Sequence, residues 1–236
     1  MSNDLYNFFN RPAVKLLIEQ NYFYEAYELW CRHVSHVNSL NFFTRNDVSI
    51  GDFGYALEKA GVDYFPYIGK ELPRSFFAHS DLTTIIIPPP IEKICDNTFS
   101  GCGKLQSVSL PYTLISIKSD AFYYCVKLQN ISFPDSINII ESSAFEHCSS
   151  LTSIVLPKYL VEISRRMFCY CESLSSVVIP QSVITIGEEA FCGCKSLKEI
   201  TFLGTKNQWR LIKKGHHWKE NAQIQVIHCS DGDIKR

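Results

Sequence analysis

Cys102, Cys125, Cys148, Cys171 and Cys194 stand 23 residues apart along the chain. Thiols at one fixed step can cross-link, hold a soft metal, or fill a repeated slot as small hydrophobes. Cys169 and Cys192 each stand two residues before a column cysteine, giving Cys-x-Cys in two successive repeats. Zinc would need all four of those sulfurs to converge. The column pair is expected to face inward and the other pair elsewhere, so no metal is assigned. If the repeats stack at the strand spacing of ~4.8 Å, neighbouring column cysteines fall within disulfide range. Five is an odd number, and one cysteine per repeat at an inward slot favours free, buried thiols.

Other candidate chemistry is sparse. Cys31, His33 and His36 fall on one expected helix at offsets that do not share a face. His216-His217 and His228-Cys229 read as surface imidazoles and a thiol near the chain end. Asp231-Gly232-Asp233 is a turn that lacks the spaced oxygens of a calcium loop. Gly101-Cys102-Gly103-Lys104 lacks phosphate-loop spacing, and neither Gly-x-Ser-x-Gly nor His-Glu-x-x-His occurs. Glu141, Glu146, Glu188 and Glu189 read as repeat-surface carboxylates. The expectation is a non-enzyme with no metal and no cofactor.

The cysteines belong to a wider frame. Phe occupies 99, 122, 145, 168 and 191; Leu occupies 82, 105, 128, 151, 174 and 197; Pro occupies 88, 111, 134, 157 and 180. An uninterrupted period of this length marks a stacked solenoid. Within a repeat, Ser107-Val108-Ser109-Leu110 alternates with period two, which predicts a strand with Val108 and Leu110 inward and the serines outward. Pro111 ends that strand. The pairs Leu114/Ile117, Ile137/Ile140, Leu160/Ile163 and Val183/Ile186 predict a second short strand on the opposite wall. Asp120 to Cys125 is expected to form one helical or 3-10 turn with Phe122 and Cys125 inward. A degenerate first copy can be traced at Phe76, Leu82, Ile85 and Ile87, with His79 in the cysteine column.

Residues 1–70 read as an α-helical, aromatic-rich N-terminal cap or small domain, holding fifteen of the 31 aromatics. Its expected helices begin near Pro12, run through Leu29 and Trp30, and span Asp52 to Ala60. Residues 71–203 carry about five full repeats plus the degenerate one. Residues 204–236 break the frame and read as a C-terminal cap in which Trp209 and Trp218 cover the last coil.

Outward strand positions form two rows, one through Thr84, Ser107, Asn130 and Ser153, the other through Ile86, Ser109, Val155 and Val178. Beside the turns lies a second candidate row, Tyr123, Tyr124, His147 and Tyr170, with Tyr112 and Tyr159 just after the prolines. These aromatics can anchor a partner or pack across coils, and the spacing leaves both readings open. The candidate binding residues are therefore Tyr112, Tyr123, Tyr124, Asn130, His147, Val155, Tyr159, Tyr170 and Val178. A net charge of −1 provides no field to steer nucleic acid, and residues 1–70 lack the basic stripe that phosphates require. The cluster Lys213, Lys214, His216, His217 and Lys219 reads as a solvated face. No stretch approaches the ~20 apolar residues of a membrane helix.

The pattern I-x-x-x-A-F-x-x-C-x-x-L-x-x-I-x-(I/L)-P resembles the BspA-type leucine-rich repeat family, with good copies at Ile117 to Pro134, Ile140 to Pro157 and Ile186 to Phe202. The resemblance covers roughly 72 to 202. It implies a leucine-rich-repeat solenoid that binds macromolecules, protein or glycan, often as an adhesin at a microbial cell surface. The first residues lack a basic and then apolar leader, so a cytoplasmic location is the default expectation and surface display would need an unconventional route. A further reading makes the repeats a scaffold and assigns partner binding to the N-terminal helices.

Overall fold

The structure is a computed structural model that describes residues 70–87, 89 and 91–235. The helices expected in residues 1–69, and Cys31, His33 and His36, lie outside the described residues. The described part is a β-solenoid whose coils each carry two short strands. On the first wall lie β2 (Thr84–Ile86), β4 (Ser107–Ser109), β6 (Asn130–Ile131), β8 (Ser153–Val155), β10 (Ser176–Ile179), β12 (Glu199–Phe202) and β14 (Val226–Cys229). The second wall holds β1 (Glu71–Leu72), β3 (Lys93–Ile94), β5 (Ser116–Ile117), β7 (Ile139–Ile140), β9 (Glu162–Ile163), β11 (Thr185–Ile186) and β13 (Lys213–Lys214).

Pairing between coils is parallel and in register, as in Ser107↔Asn130 and Ser116↔Ile139. A residue and its counterpart 23 positions later therefore occupy the same environment one layer on. Both wall ladders are interrupted at one level, between β6 and β8 and between β7 and β9. At that level Phe133 packs edge-on against Phe145, 5.7 Å away.

Each coil buries its columns against its neighbours. Phe99, Phe122, Phe145, Phe168 and Phe191 have no exposed surface and stack nearly parallel at 5.0 to 5.7 Å. Such pairs add about 0.5–1.5 kcal/mol each beyond their buried area. The column cysteines are equally buried, and each thiol donates to the carbonyl of the preceding coil's phenylalanine: Cys125 to Phe99 at 3.2 Å, Cys171 to Phe145 at 3.1 Å. They fill their slot and give that carbonyl a second donor, since Phe99 O, Phe122 O and Phe145 O already accept the N–H of the cysteine three residues on.

The first coil corrects the expected frame. It is one residue shorter, since β1 pairs Glu71 with Lys93 at a step of 22. Phe77 rather than Phe76 stacks on Phe99, 5.1 Å away, and Phe76 packs edge-on against Phe77. Ser80, not His79, takes the cysteine slot, with its hydroxyl 3.2 Å from the Cys102 sulfur. His79 lies outside the core.

The expected helical or 3-10 turn is instead a run of overlapping β-turns: Ala121 N–H to Lys118 O, Tyr123 N–H to Asp120 O and Cys125 N–H to Phe122 O. Two residues per coil break any helix by adopting positive φ. One column is Ser75, Asn97, Asp120, Ser143, Arg166 and Glu189; the other is His79, Gly101, Tyr124, His147, Tyr170 and Gly193. The left-handed conformation costs a non-glycine residue about 1–2 kcal/mol. It lets N–H groups such as those of Asp120 and Tyr124 donate to Ser142 O and Glu146 O of the next coil.

At the C-terminal end, Thr205 caps α1 (Lys206–Leu211) through a capping box with Gln208. Trp209 is buried against Phe202, and Trp218 continues the aromatic column 6.3 Å from Phe191. The Lys213–Lys219 cluster is not uniformly solvated. Lys214 donates to Trp209 O and Ile212 O, lies over the Trp209 ring, and is held below the usual lysine range by burial.

The last strand, β15 (Gly232–Lys235), returns antiparallel on β14. His228 ties this hairpin to β12: its Nδ1 lies 2.9 Å from Asp233 and its Nε2 3.4 Å from Glu199. Hydrogen bonding to those carboxylates raises its pKa above the usual histidine range. A raised folded pKa stabilises the fold fully below the unfolded value of about 6.5, and that contribution disappears as pH rises through the folded value. NMR titration of the imidazole is expected to place its midpoint above 6.5, with protection of the β14 and β15 amides falling over the same range. His228→Gln is expected to flatten that dependence; unchanged pH dependence would contradict the assignment.

Candidate functional site

The turn side of the solenoid places one candidate row on a rigid frame. Tyr124, His147 and Tyr170 occupy consecutive layers of the second positive-φ column, so their side chains leave the backbone in one direction. Tyr124 and His147 lie 4.4 Å apart, and His147 and Tyr170 stack at 4.8 Å with 7° between planes. Tyr123 closes on this ladder edge-first, 5.0 Å from Tyr124 and 5.9 Å from His147. The tyrosines remain accessible, 45% for Tyr124 and 38% for Tyr170. Glycines flank the row. A Cβ at Gly101 would lie 2.3 Å from the His79 ring, and one at Gly193 would lie 2.6 Å from the Tyr170 ring. Each ring thus leans onto the next layer and needs glycine there when no ring follows to stack.

Beneath the ladder lies a polar column that the sequence reading placed on the surface. Glu146 is buried, with Arg166 3.6 Å and His147 3.9 Å away. Arg166 also holds Glu189, and its guanidinium keeps that carboxyl below the usual range. Burial first, and then the Glu146 charge, raises the pKa of Tyr123 and of Asp120. Elsewhere charges pair one coil apart, as in Lys118–Glu141, Arg165–Glu188 and Lys195–Glu172. These pairs are individually weak, but they neutralise the turn face.

The structure separates the remaining candidates. Tyr112 and Tyr159 stand exposed at the proline corners, and among the described residues no ring contact joins them to the ladder. Asn130, Val155 and Val178 lie on the first wall, with Val155 opposite Val178 in register. A further exposed set, Ile115, Ile139, Val161 and Ile184 on the second wall, was not picked out from the sequence. Its signal was available, since Ile115, Val161 and Ile184 share one column of the 23-residue frame.

A cleft of about 280 Å³ lies under the C-terminal hairpin between Trp209, Trp218, Lys214 and Ile224. That is just below the ~300–1,000 Å³ of ordinary ligand pockets, and its walls are residues that close the last coil. Among the described residues, no group of three or more His, Cys, Asp or Glu side chains could hold a metal ion. No helix among them is long and apolar enough to cross a membrane.

The pattern that defines the BspA type leucine rich repeat region matches this chain in six copies, over residues 70–198 and 161–209. No curated protein matches it. Among solved structures, a leucine rich cell surface protein from Faecalibacterium prausnitzii is 31% identical with a TM-score of 0.56, over 64% of this chain and 39% of that one. The leucine rich repeat protein of T. pallidum is 30% identical with a TM-score of 0.50, over 62% of this chain and 73% of that one. A leucine-rich repeat protein from Bacteroides ovatus, 22% identical with a TM-score of 0.50, shares the fold over 69% of this chain and 53% of its own.

Proposed function

This chain belongs to the BspA-type leucine-rich repeat family, and on that premise we propose that it is a non-enzymatic interaction module that binds a protein partner through the turn side of its coils. Tyr123, Tyr124, His147 and Tyr170 are the anchors. The observation that carries this reading is the part-exposed ladder itself, with rings already fixed by stacking. Rings fixed before binding lose little conformational freedom on docking, and tyrosine is among the residues that dominate interface energetics. The ring faces within the ladder pack on one another, and His147 turns its Nε2 toward the buried Glu146, leaving part-exposed tyrosine edges outward. That supports a protein partner over a glycan, whose sugar faces would stack on open rings. A surface location is supported by the 31% identical cell surface protein, of which this chain spans 39%.

The test uses glycine, because Gly101 and Gly193 already occupy this column and its positive φ suits that residue. The triple variant Tyr124→Gly, His147→Gly, Tyr170→Gly and a control Tyr112→Ala, Tyr159→Ala would each be used to capture partners from the native source. The ladder variant is expected to lose capture at least about tenfold, each buried anchor carrying ~2 kcal/mol, with its melting transition retained. The control keeps capture. Full capture by the folded ladder variant would refute the assignment, and retention of glycans alone would move the partner class to sugars.

A further inference from the structure

We propose that Cys169 and Cys192 form a redox-active dithiol that closes to a disulfide between adjacent coils. The two residues occupy one column in neighbouring layers. The backbone around them is knitted in register, with Tyr170 N–H donating to Cys192 O at 2.7 Å and His147 N–H to Cys169 O at 2.8 Å. Layers at strand spacing set their Cα atoms about 4.8 Å apart, inside the ~4.4–6.8 Å that a disulfide spans. Both side chains are buried and leave equivalent positions of adjacent layers.

The five column cysteines differ. Cys102, Cys125, Cys148, Cys171 and Cys194 each donate their S–H to a phenylalanine carbonyl inside the core. Among the described hydrogen bonds, neither Cys169 nor Cys192 has such a carbonyl. Cys192 is also the more open of the two, 7% exposed against none for Cys169. These differences assign the roles of attacker to Cys192 and resolver to Cys169.

The oxidant class is a small-molecule disulfide. The Cys192 thiolate attacks one of its sulfurs, the S–S bond breaks, and one thiolate leaves, giving a mixed disulfide on Cys192. Cys169 then loses its proton to solvent and attacks the Cys192 sulfur, expelling the second thiolate. Two protein thiols become one disulfide, and the small molecule is reduced to two thiols. Burial raises both protein thiols above the usual range, so closure accelerates as pH rises from 7 to about 9. The bond joins the residues just before Tyr170 and Gly193, at the C-terminal end of the aromatic ladder.

The test takes the reduced full chain, exposes it to glutathione disulfide, blocks the remaining thiols and cleaves at glutamate. Cleavage after Glu162, Glu172, Glu189 and Glu199 places the two cysteines in separate peptides. Tandem mass spectrometry is expected to find Cys169 joined to Cys192, no glutathione retained on either, and Cys171 and Cys194 still free. In Cys169→Ser, glutathione remains on Cys192; in Cys192→Ser, Cys169 stays unmodified. A wild-type chain that keeps both thiols reduced, or that joins Cys171 to Cys194 instead, overturns the proposal without recourse to either variant.

Discussion

Phe145→Ala is expected to lower the unfolding free energy by about 3–5 kcal/mol and to split the unfolding transition in two. Phe145 has no exposed surface and stacks on Phe122 at 5.2 Å and Phe168 at 5.7 Å. Its truncation removes ring contacts to two coils at once, together with the edge contact from Phe133. The cavity cannot collapse, because the backbone on either side is held by hydrogen bonds between coils, Phe122 N–H to Ala144 O and Phe145 N–H to Met167 O. Solenoid stability is close to a sum of coil and nearest-neighbour terms, so a weakened middle layer uncouples the two ends. This is also the level at which both wall ladders already break. In a Trp30→Phe background, urea titration would follow Trp209 and Trp218 fluorescence for the C-terminal coils and far-ultraviolet circular dichroism for the whole. Separated midpoints in the variant and coincident ones in the parent are the expected result. Ile139→Ala, at a position 46% exposed, serves as the control, within about 0.5 kcal/mol of the parent. A loss below 1 kcal/mol with one shared midpoint would show that the spine does not couple the coils.

Gly187→Ala is expected to cost about 1–3 kcal/mol, although alanine is ordinarily the more stabilising residue. A Cβ there would lie 2.6 Å from Arg165 N and 2.8 Å from Ser164 C. Both are backbone atoms of the preceding coil, so no rotamer change relieves the clash. The coil is also pinned at that point, by Gly187 N–H to Ile163 O at 2.7 Å and by the pairing of β11 with β9. The clash must therefore lift the second wall, and hydrogen exchange should quicken at Thr185, Ile186 and the β13 residues that pair beyond them. Gly103→Ala is the opposite case. Its nearest neighbour would be the Val126 side chain at 3.9 Å, so the substitution is expected to be neutral or stabilising by about 0.4–1 kcal/mol. Equal melting temperatures for the two variants would refute the close-approach argument.

How much of this was readable in the chain follows from one property of the fold. In a parallel, in-register stack, a residue type repeated every 23 positions sees the same surroundings in each layer. The Phe, Leu and Cys columns therefore announced the core, and alternation in Ser107–Leu110 announced the first wall, without reference to any distant contact. The inward cysteine slot and the second strand were legible for the same reason.

What lay outside that rule was decided by tertiary structure. The 22-residue step from Glu71 through Ser80 moved Ser80 into the cysteine slot and His79 out of it, while β2 keeps the 23-residue step to β4. Tyr124, His147 and Tyr170 became a ladder because their backbone is left-handed, a conformation that no preference of tyrosine foretells. Glu146 reads in sequence as one more surface carboxylate, yet the layers above and below bury it. The sequence alone determined which residues repeat and hence what forms the core. Where the exposed remainder points, and which neighbours it meets, depended on the sign of φ and on contacts between layers, and neither is written in any single repeat.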